Sequence, residues 1–493
     1  MSRKSRLLIF IFTALIPLTA VSALIFAHSF SRGGAVRTID EARTAIAETE
    51  TASAPTTQDI KEVLSGTETS TKKETTSEIP PSDEAAHSAE AEASKETKAK
   101  AEKETAKIAA PMTNSFTRTS DYAKSLAALN ERERTFEDNF CLKIEEICKR
   151  FSAVGFSLVV FKDDEELYSQ VYGFADKEKG LYVDENTKFR VASMSKFATG
   201  ILVMRLASEG KADLDADISE YTGIRIRSPY YDDVVITPRM LMNHSSSIID
   251  GDWAFTKGAL LSDLFKKGDK TYFSPNKPGS TYIYSNFGAS LLTCLIEKAS
   301  GRHFVEYSQS ALIKPLGLDA AYSISQIKDR DSVAEMYIDG KLCKSQKTKS
   351  ATTYGCLNTP LGEYFQLSFG NLMISPRDMS RLAMVLAGNG SLKGVRVLPK
   401  EAVAAMNKRV EGSGSPWGLM QKIVADKLVK GRTLHGHNGE AYGFIGCVYY
   451  DREDKTGLVY MTNGCRHSGG KHTYAITEEV VSAVYGGYID MLK

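Results

Sequence analysis

The stretch FRVASMSKFATGILVMRLASEG, Phe189 to Gly210, carries the reading of this chain. Apolar residues at Phe197, Ile201, Met204 and Leu206 predict a core-facing helix of about five turns, with Ser193 in its first turn. Residues three apart share a helix face, so the Lys196 amine is expected beside the Ser193 hydroxyl. The first turn of a helix has unpaired N–H groups and the positive end of the dipole, which favour developing negative charge. A serine alcohol becomes a nucleophile when a neighbouring base takes its proton, and a lysine made neutral by burial is one such base. The pattern alone discriminates poorly: Ser-x-x-Lys recurs from Ser70, Ser208, Ser274, Ser325 and Ser468.

Context comes from the flanks. Upstream, GFSLVVFK, a turn at Asp163 to Glu166 and LYSQVYGFAD predict a β-hairpin, preceded by a charged helix from about Asp121 to Phe151. Downstream, VVITPRMLMNHSSSIID (Val234 to Asp250) predicts a short helix capped by Thr237, opened by Pro238 and ending near His244. The segment SPNKPGSTYIYSNFGASLLTCLIEKASG predicts an extended run at Thr281 to Tyr284 and a helix from about Phe287 to Ser300. Alternate residues of an extended run face one way, so Tyr284 and Asn286 are expected in one cleft, with a helix N-cap as the purely structural role for Asn286. Two further helices are expected from near Ser375 and Pro399. LHGHNGEAYGFIGCVYYD, a turn at Arg452 to Lys455, GLVYMTNG and a last helix from about Tyr474 to Leu492 close the chain. Strands at both ends with helices between predict an α/β (α+β) domain, mainly an antiparallel sheet flanked by helices plus a helical lobe, spanning 116–493.

The remainder reads as targeting segment and spacer. Arg3, Lys4 and Arg6 precede an apolar run from Leu7 to Ala27, long enough to cross a bilayer. Residues 1–30 are therefore expected to be a membrane anchor with a cytoplasmic N-terminus, or a cleaved signal with Val21-Ser22-Ala23 as its site and a secreted product. Residues 31–115 have no aromatic side chain and are rich in Thr, Glu, Lys, Ala and Ser, the composition of a disordered tether. The expected location is thus the cell membrane, with the domain outside the cytoplasm and the membrane as a partner. A net charge of +1 over 493 residues speaks against a nucleic-acid partner, and the seven scattered cysteines show no zinc or disulfide pattern.

Ser193-Met194-Ser195-Lys196, Tyr284-Ser285-Asn286 and His437-Asn438-Gly439, in that order, resemble the three motifs of the penicillin-recognising serine hydrolases. The flanks FRVASMSK, ITPRMLMNHSSS, PGSTYIYSNFGASLL, KPLGL and GHNGEAYGF resemble the branch of class C β-lactamases, D-alanyl-D-alanine carboxypeptidases and related esterases. The resemblance implies a β-lactamase/transpeptidase-like fold and an acyl-enzyme mechanism without cofactor or metal. It makes Ser193 the nucleophile, Lys196 its activator and Tyr284 the proton shuttle, with a phenol pKa lowered by Lys196. It makes Asn286 a ligand of the substrate amide, and it puts the oxyanion between the backbone N–H groups of Ser193 and Glu440. His437, Asn438, Gly439 and Glu440 would form the facing wall.

The substrate expected is a peptidoglycan-type peptide, a β-lactam or an ester; the competing class is a non-catalytic envelope binding module that kept the fold. Two departures bear on the substrate. His437 stands where many relatives have lysine, and at a reference pKa near 6.5 it suggests carboxylate binding that weakens as pH rises. Glu440 puts a carboxylate beside the oxyanion site. His435, His437, Cys465, His467 and His472 also suggest a metal hydrolase, but no recognised zinc spacing joins them.

Overall fold

A computed structural model describes residues 117–251, 261–266, 268–343, 357 and 359–492. Its centre is an eight-stranded sheet. In chain order the strands are β1 (Thr117–Arg118), β2 (Gly155–Lys162), β3 (Glu165–Asp176), β4 (Leu181–Tyr182), β5 (Lys422–Ala425), β6 (Thr433–Ala441), β7 (Phe444–Asp451) and β8 (Thr456–Thr462). Across the sheet they run β1-β3-β2-β8-β7-β6-β5, with β4 paired to β3. All pairs are antiparallel except β1 with β3. The two ends of the domain meet at β2 and β8, where Val159 lies opposite Val459.

The inner strands are apolar on both faces because both faces are covered, and the twofold alternation of side chains sorts them. Ile445, Cys447, Tyr449, Leu458 and Tyr460 pack with helix α2 (Phe136–Arg150) and helix α6 (Ala475–Ala483). Val448, Tyr450, Val459 and Met461 face the helical lobe, built from α3 (Ser195–Ser208), α4 (Leu292–Ser300) and α5 (Pro376–Ala387). Within that lobe α3 is buried almost all round rather than along one stripe, which marks it as the central helix. Gly200 is needed on it, since a Cβ there would lie 2.6 Å from Met420 Cβ.

Several elements differ from expectation for local reasons. The charged segment forms two helices, α1 (Ser120–Ala127) and α2, because Thr135 and Asp138 form a capping box that starts a new helix. The run after Tyr284 also breaks, at Leu291, into Asn286–Ser290 and α4. Ser285, not Asn286, caps it: its hydroxyl accepts the N–H of Gly288 at 2.8 Å. The last helix turns from α to a wider π-helical coil at Val484–Ile489, where Gly486 and Gly487 fall.

No helix among the described residues is long and apolar enough to cross a membrane. That finding corrects the expected membrane partner and cell-membrane localisation; the apolar run Leu7–Ala27 itself, like the spacer 31–115, lies outside the described residues.

Candidate active site

Ser193 lies on a single 3₁₀ turn, Ala192–Met194, that runs directly into α3, so it precedes the α-helix instead of standing within it. Ala192 is left-handed, φ 46°, a conformation that costs a non-glycine residue energy and is tolerated where packing enforces it. Strand β6 packs straight onto this turn. A Cβ on Gly439 would lie 2.5 Å from the Val191 carbonyl oxygen, 2.8 Å from the Phe444 ring and 3.1 Å from Met194 Cγ, so only glycine lets the strand approach.

Lys196 is fully buried, and its Nζ lies 3.0 Å from Ser193 Oγ, 2.8 Å from Asn286 Oδ1 and 2.9 Å from the Phe369 carbonyl oxygen. Burial lowers its pKa to about 7, against the opposing pull of the Asp250 carboxylate. The geometry sets what the neutral amine does. Two of the three neighbours are carbonyl oxygens that only accept, so they take the two N–H bonds and the lone pair is left for the Ser193 hydroxyl proton.

Tyr284 lies beside this pair, its ring 5.2 Å from Lys196 Nζ. The expected lowering of its phenol is overturned: burial raises it well above 10, with a hydrogen bond to Ser193 pulling the other way. With its own pKa near 7, Lys196 is not a permanent cation able to stabilise a phenolate. Tyr284 is therefore a neutral O–H group at neutral pH.

Asn286 is already engaged on both sides. Its Oδ1 accepts from Lys196, and its Nδ2 donates to Asp250 Oδ2 at 2.7 Å. Asp250 also accepts from Ser285 Oγ at 3.0 Å and from the Phe287 N–H at 2.9 Å. It thereby fixes which end of the Asn286 amide faces the lysine.

His437 lies opposite Val448 on β6, and its ring is 6.5 Å from that of Tyr284 and 4.8 Å from that of Trp417. Burial and the Lys196 charge lower its pKa to about 3, so no titration near 6.5 occurs and the expected pH-dependent carboxylate binding by this ring is corrected. Asn438 Nδ2 donates to Thr473 Oγ1, turning that amide toward the start of α6. Glu440 is exposed beside Tyr474, whose phenol it helps burial to raise to about 12.

The structure thus brings Ser193, Lys196, Tyr284, Asn286 and His437 together, backs them with Gly439, and leaves Asn438 and Glu440 at the rim. It adds residues that the motifs did not mark: Asp250, the Phe369 carbonyl, Trp417 and His244, whose ring lies 4.3 Å from Tyr284. His244 and Asp250 both belong to MNHSSSIID, where left-handed backbone at His244 and Ser247 folds the segment back under the cleft. Among the described residues no group of three or more His, Cys, Asp or Glu side chains is arranged to hold a metal ion.

A mixed sheet with a helical lobe, and a buried lysine against a serine at the lobe's central helix, define the β-lactamase and penicillin-binding class of serine-hydrolase fold. The family described as Beta-lactamase matches residues 144–480, and the chain belongs to it. Protein flp of Staphylococcus aureus (strain N315) is 27% identical over 179 residues, which make up 35% of this chain and 35% of that protein, so the similarity spans about a third of that relative's length. Two solved structures share the fold. The octameric penicillin-binding protein homologue from Pyrococcus abyssi superposes with a TM-score of 0.56 at 22% identity, over 71% of this chain and 77% of the other. The D-amino acid amidase from Ochrobactrum anthropi SV3, complexed with L-phenylalanine amide, gives 0.56 at 20% identity, over 73% of this chain and 99% of the other.

Proposed function

We propose that this chain is an acyl-transferring serine hydrolase of the branch that holds class C β-lactamases, D-alanyl-D-alanine carboxypeptidases and esterases, acting on a peptide, β-lactam or ester. One observation carries the reading: a buried lysine of pKa about 7 with its Nζ 3.0 Å from a serine Oγ. Ser193 Oγ attacks the substrate carbonyl carbon while Lys196 takes its proton. The oxyanion lies against the backbone N–H groups of Ser193 and Glu440. Collapse breaks the bond to the leaving group, which takes a proton from Tyr284, and Lys196 restores the phenol. Water then attacks the acyl carbonyl carbon, its proton passing through Tyr284 and Lys196 to Ser193 Oγ as the Ser193–acyl bond breaks and the acid leaves. Asn286 acts in this scheme by holding Lys196, its amide being occupied by Asp250.

The test is intact mass of residues 116–493 after incubation with a penicillin and, separately, with a p-nitrophenyl ester, beside Ser193→Ala. An acyl adduct or turnover in the wild type that the variant lacks is the expected result. Equal labelling or turnover in Ser193→Ala would move the nucleophile to another residue, and none in either protein would replace the reading with that of a binding module.

A further inference from the structure

Asp250 accepts hydrogen bonds from three consecutive residues. Its Oδ1 takes Ser285 Oγ at 3.0 Å and the Phe287 N–H at 2.9 Å, and its Oδ2 takes Asn286 Nδ2 at 2.7 Å. The segment that carries it is anchored separately, since the Ile249 N–H donates to the Tyr272 carbonyl oxygen at 3.0 Å. A carboxylate only accepts, so the Asn286 amide meets it through its NH2 end and turns its oxygen the other way. That oxygen lies 2.8 Å from Lys196 Nζ. The neutral amine then has one N–H on Asn286 Oδ1, a second on the Phe369 carbonyl oxygen at 2.9 Å, and its lone pair facing Ser193 Oγ at 3.0 Å. With the amide reversed an N–H would face the amine, and a neutral amine can meet an N–H only with its lone pair.

We propose that Asp250 is a positioning residue that reserves the Lys196 lone pair for Ser193, by holding the Asn286 amide with its oxygen toward the amine. The proposal rests on the acyl-serine reading and adds to that site a residue acting through Asn286. In Asp250→Asn the new amide must keep its oxygen on the Phe287 N–H, so its NH2 end faces Asn286 and turns that side chain round. The lysine lone pair is then occupied and the serine loses its base. In the double variant Asp250→Asn/Asn286→Asp the carboxylate and the amide change places. The carboxylate now accepts from Lys196 and from the amide at position 250, and the lone pair returns to Ser193 with a negative charge beside the amine.

The experiment follows kcat/KM of the full chain for an uncharged p-nitrophenyl ester from pH 5 to 10, with spontaneous hydrolysis subtracted. The titratable groups set against Lys196 are Asp250, Tyr284, His244 and His437; burial holds the phenol above this range and both rings below it. Asp250→Asn is expected to lower the plateau at least tenfold and to move the rising limb below pH 7, because the carboxylate that opposed the lowering of Lys196 is gone. The double variant is expected to regain at least tenfold of that loss, with its limb one pH unit or more above that of the wild type. A wild-type profile in Asp250→Asn, a fall with the limb unmoved, or a folded double variant no faster than the single one overturns the proposal and leaves Asp250 a purely structural anchor. Should the double variant not fold by circular dichroism, Asp250→Glu, which still only accepts, is expected to keep the limb near pH 7 and a plateau at least ten times that of Asp250→Asn; a glutamate as slow as the asparagine overturns it equally. Turnover that survives Ser193→Ala overturns the acyl-serine reading instead.

Discussion

Lys196 gives the chemistry a pH signature. In the proposed mechanism acylation needs its amine neutral, and the neutral fraction grows with pH until it levels off above about 7. The kcat/KM for an uncharged ester is therefore expected to be roughly tenfold lower at pH 6 than on the plateau. Around the amine stand Asp250, which opposes the lowering, the neutral Tyr284, and His244 and His437, both held well below the ordinary histidine range. Neither of these two rings gains a proton between pH 5 and 8, so the rising limb is expected to have a single step. A break near pH 10 would mean that Lys196 keeps its ordinary amine value, and a flat profile would remove it from the proton path. The Ser193–Lys196 pairing was legible because it is local, three residues on one turn. The direction of the Tyr284 shift was not, since burial depends on side chains from several distant segments.

At the scale of elements, the site depends on how closely β6 meets the turn that carries Ser193. Gly439→Ala places a Cβ within 2.5 Å of the Val191 carbonyl oxygen and forces the strand and the Ser193 turn apart. A displacement of that order is expected to lower kcat/KM about a hundredfold while the sheet stays folded. Stopped activity with an unchanged circular-dichroism spectrum and thermal midpoint shifted by only a few degrees would agree; wild-type turnover would show that the close approach is dispensable. The hairpin β2–β3 and the cap at Thr237–Pro238 were readable from period and capping residues. The break of the charged helix turned on a single capping box at Thr135, and the role of Asp250 on contacts made 35 to 37 residues further along the chain. Neither alters the hydrophobic period that sequence reading uses.

The whole domain is pinned where its late segments converge. The Arg432 guanidinium, almost wholly enclosed over the Tyr485 ring, reaches Asp451 at 2.9 Å, Asp454 at 2.6 Å and Asp490 at 3.0 Å, tying the β7–β8 turn to the C-terminal helix. Arg432→Leu leaves the buried Asp451 without its cation and is expected to cost about 3 kcal/mol in urea denaturation at pH 7. A loss under 1 kcal/mol would mean that water takes over for the arginine. The closing of the sheet by its two ends was legible from strands at both extremes of the domain, whereas its strand order was not, because pairing such as Val159 with Val459 joins residues that no local pattern relates. That pairing also has a temporal side. Translation delivers Ser193 and Lys196 long before the strand that carries Gly439. A chain still on the ribosome, or one cut short ahead of β6, holds the serine and the lysine with no wall opposite them. On the proposed function, hydrolytic competence is acquired only in the last part of the domain's own synthesis, and a prematurely terminated copy is expected to be inert.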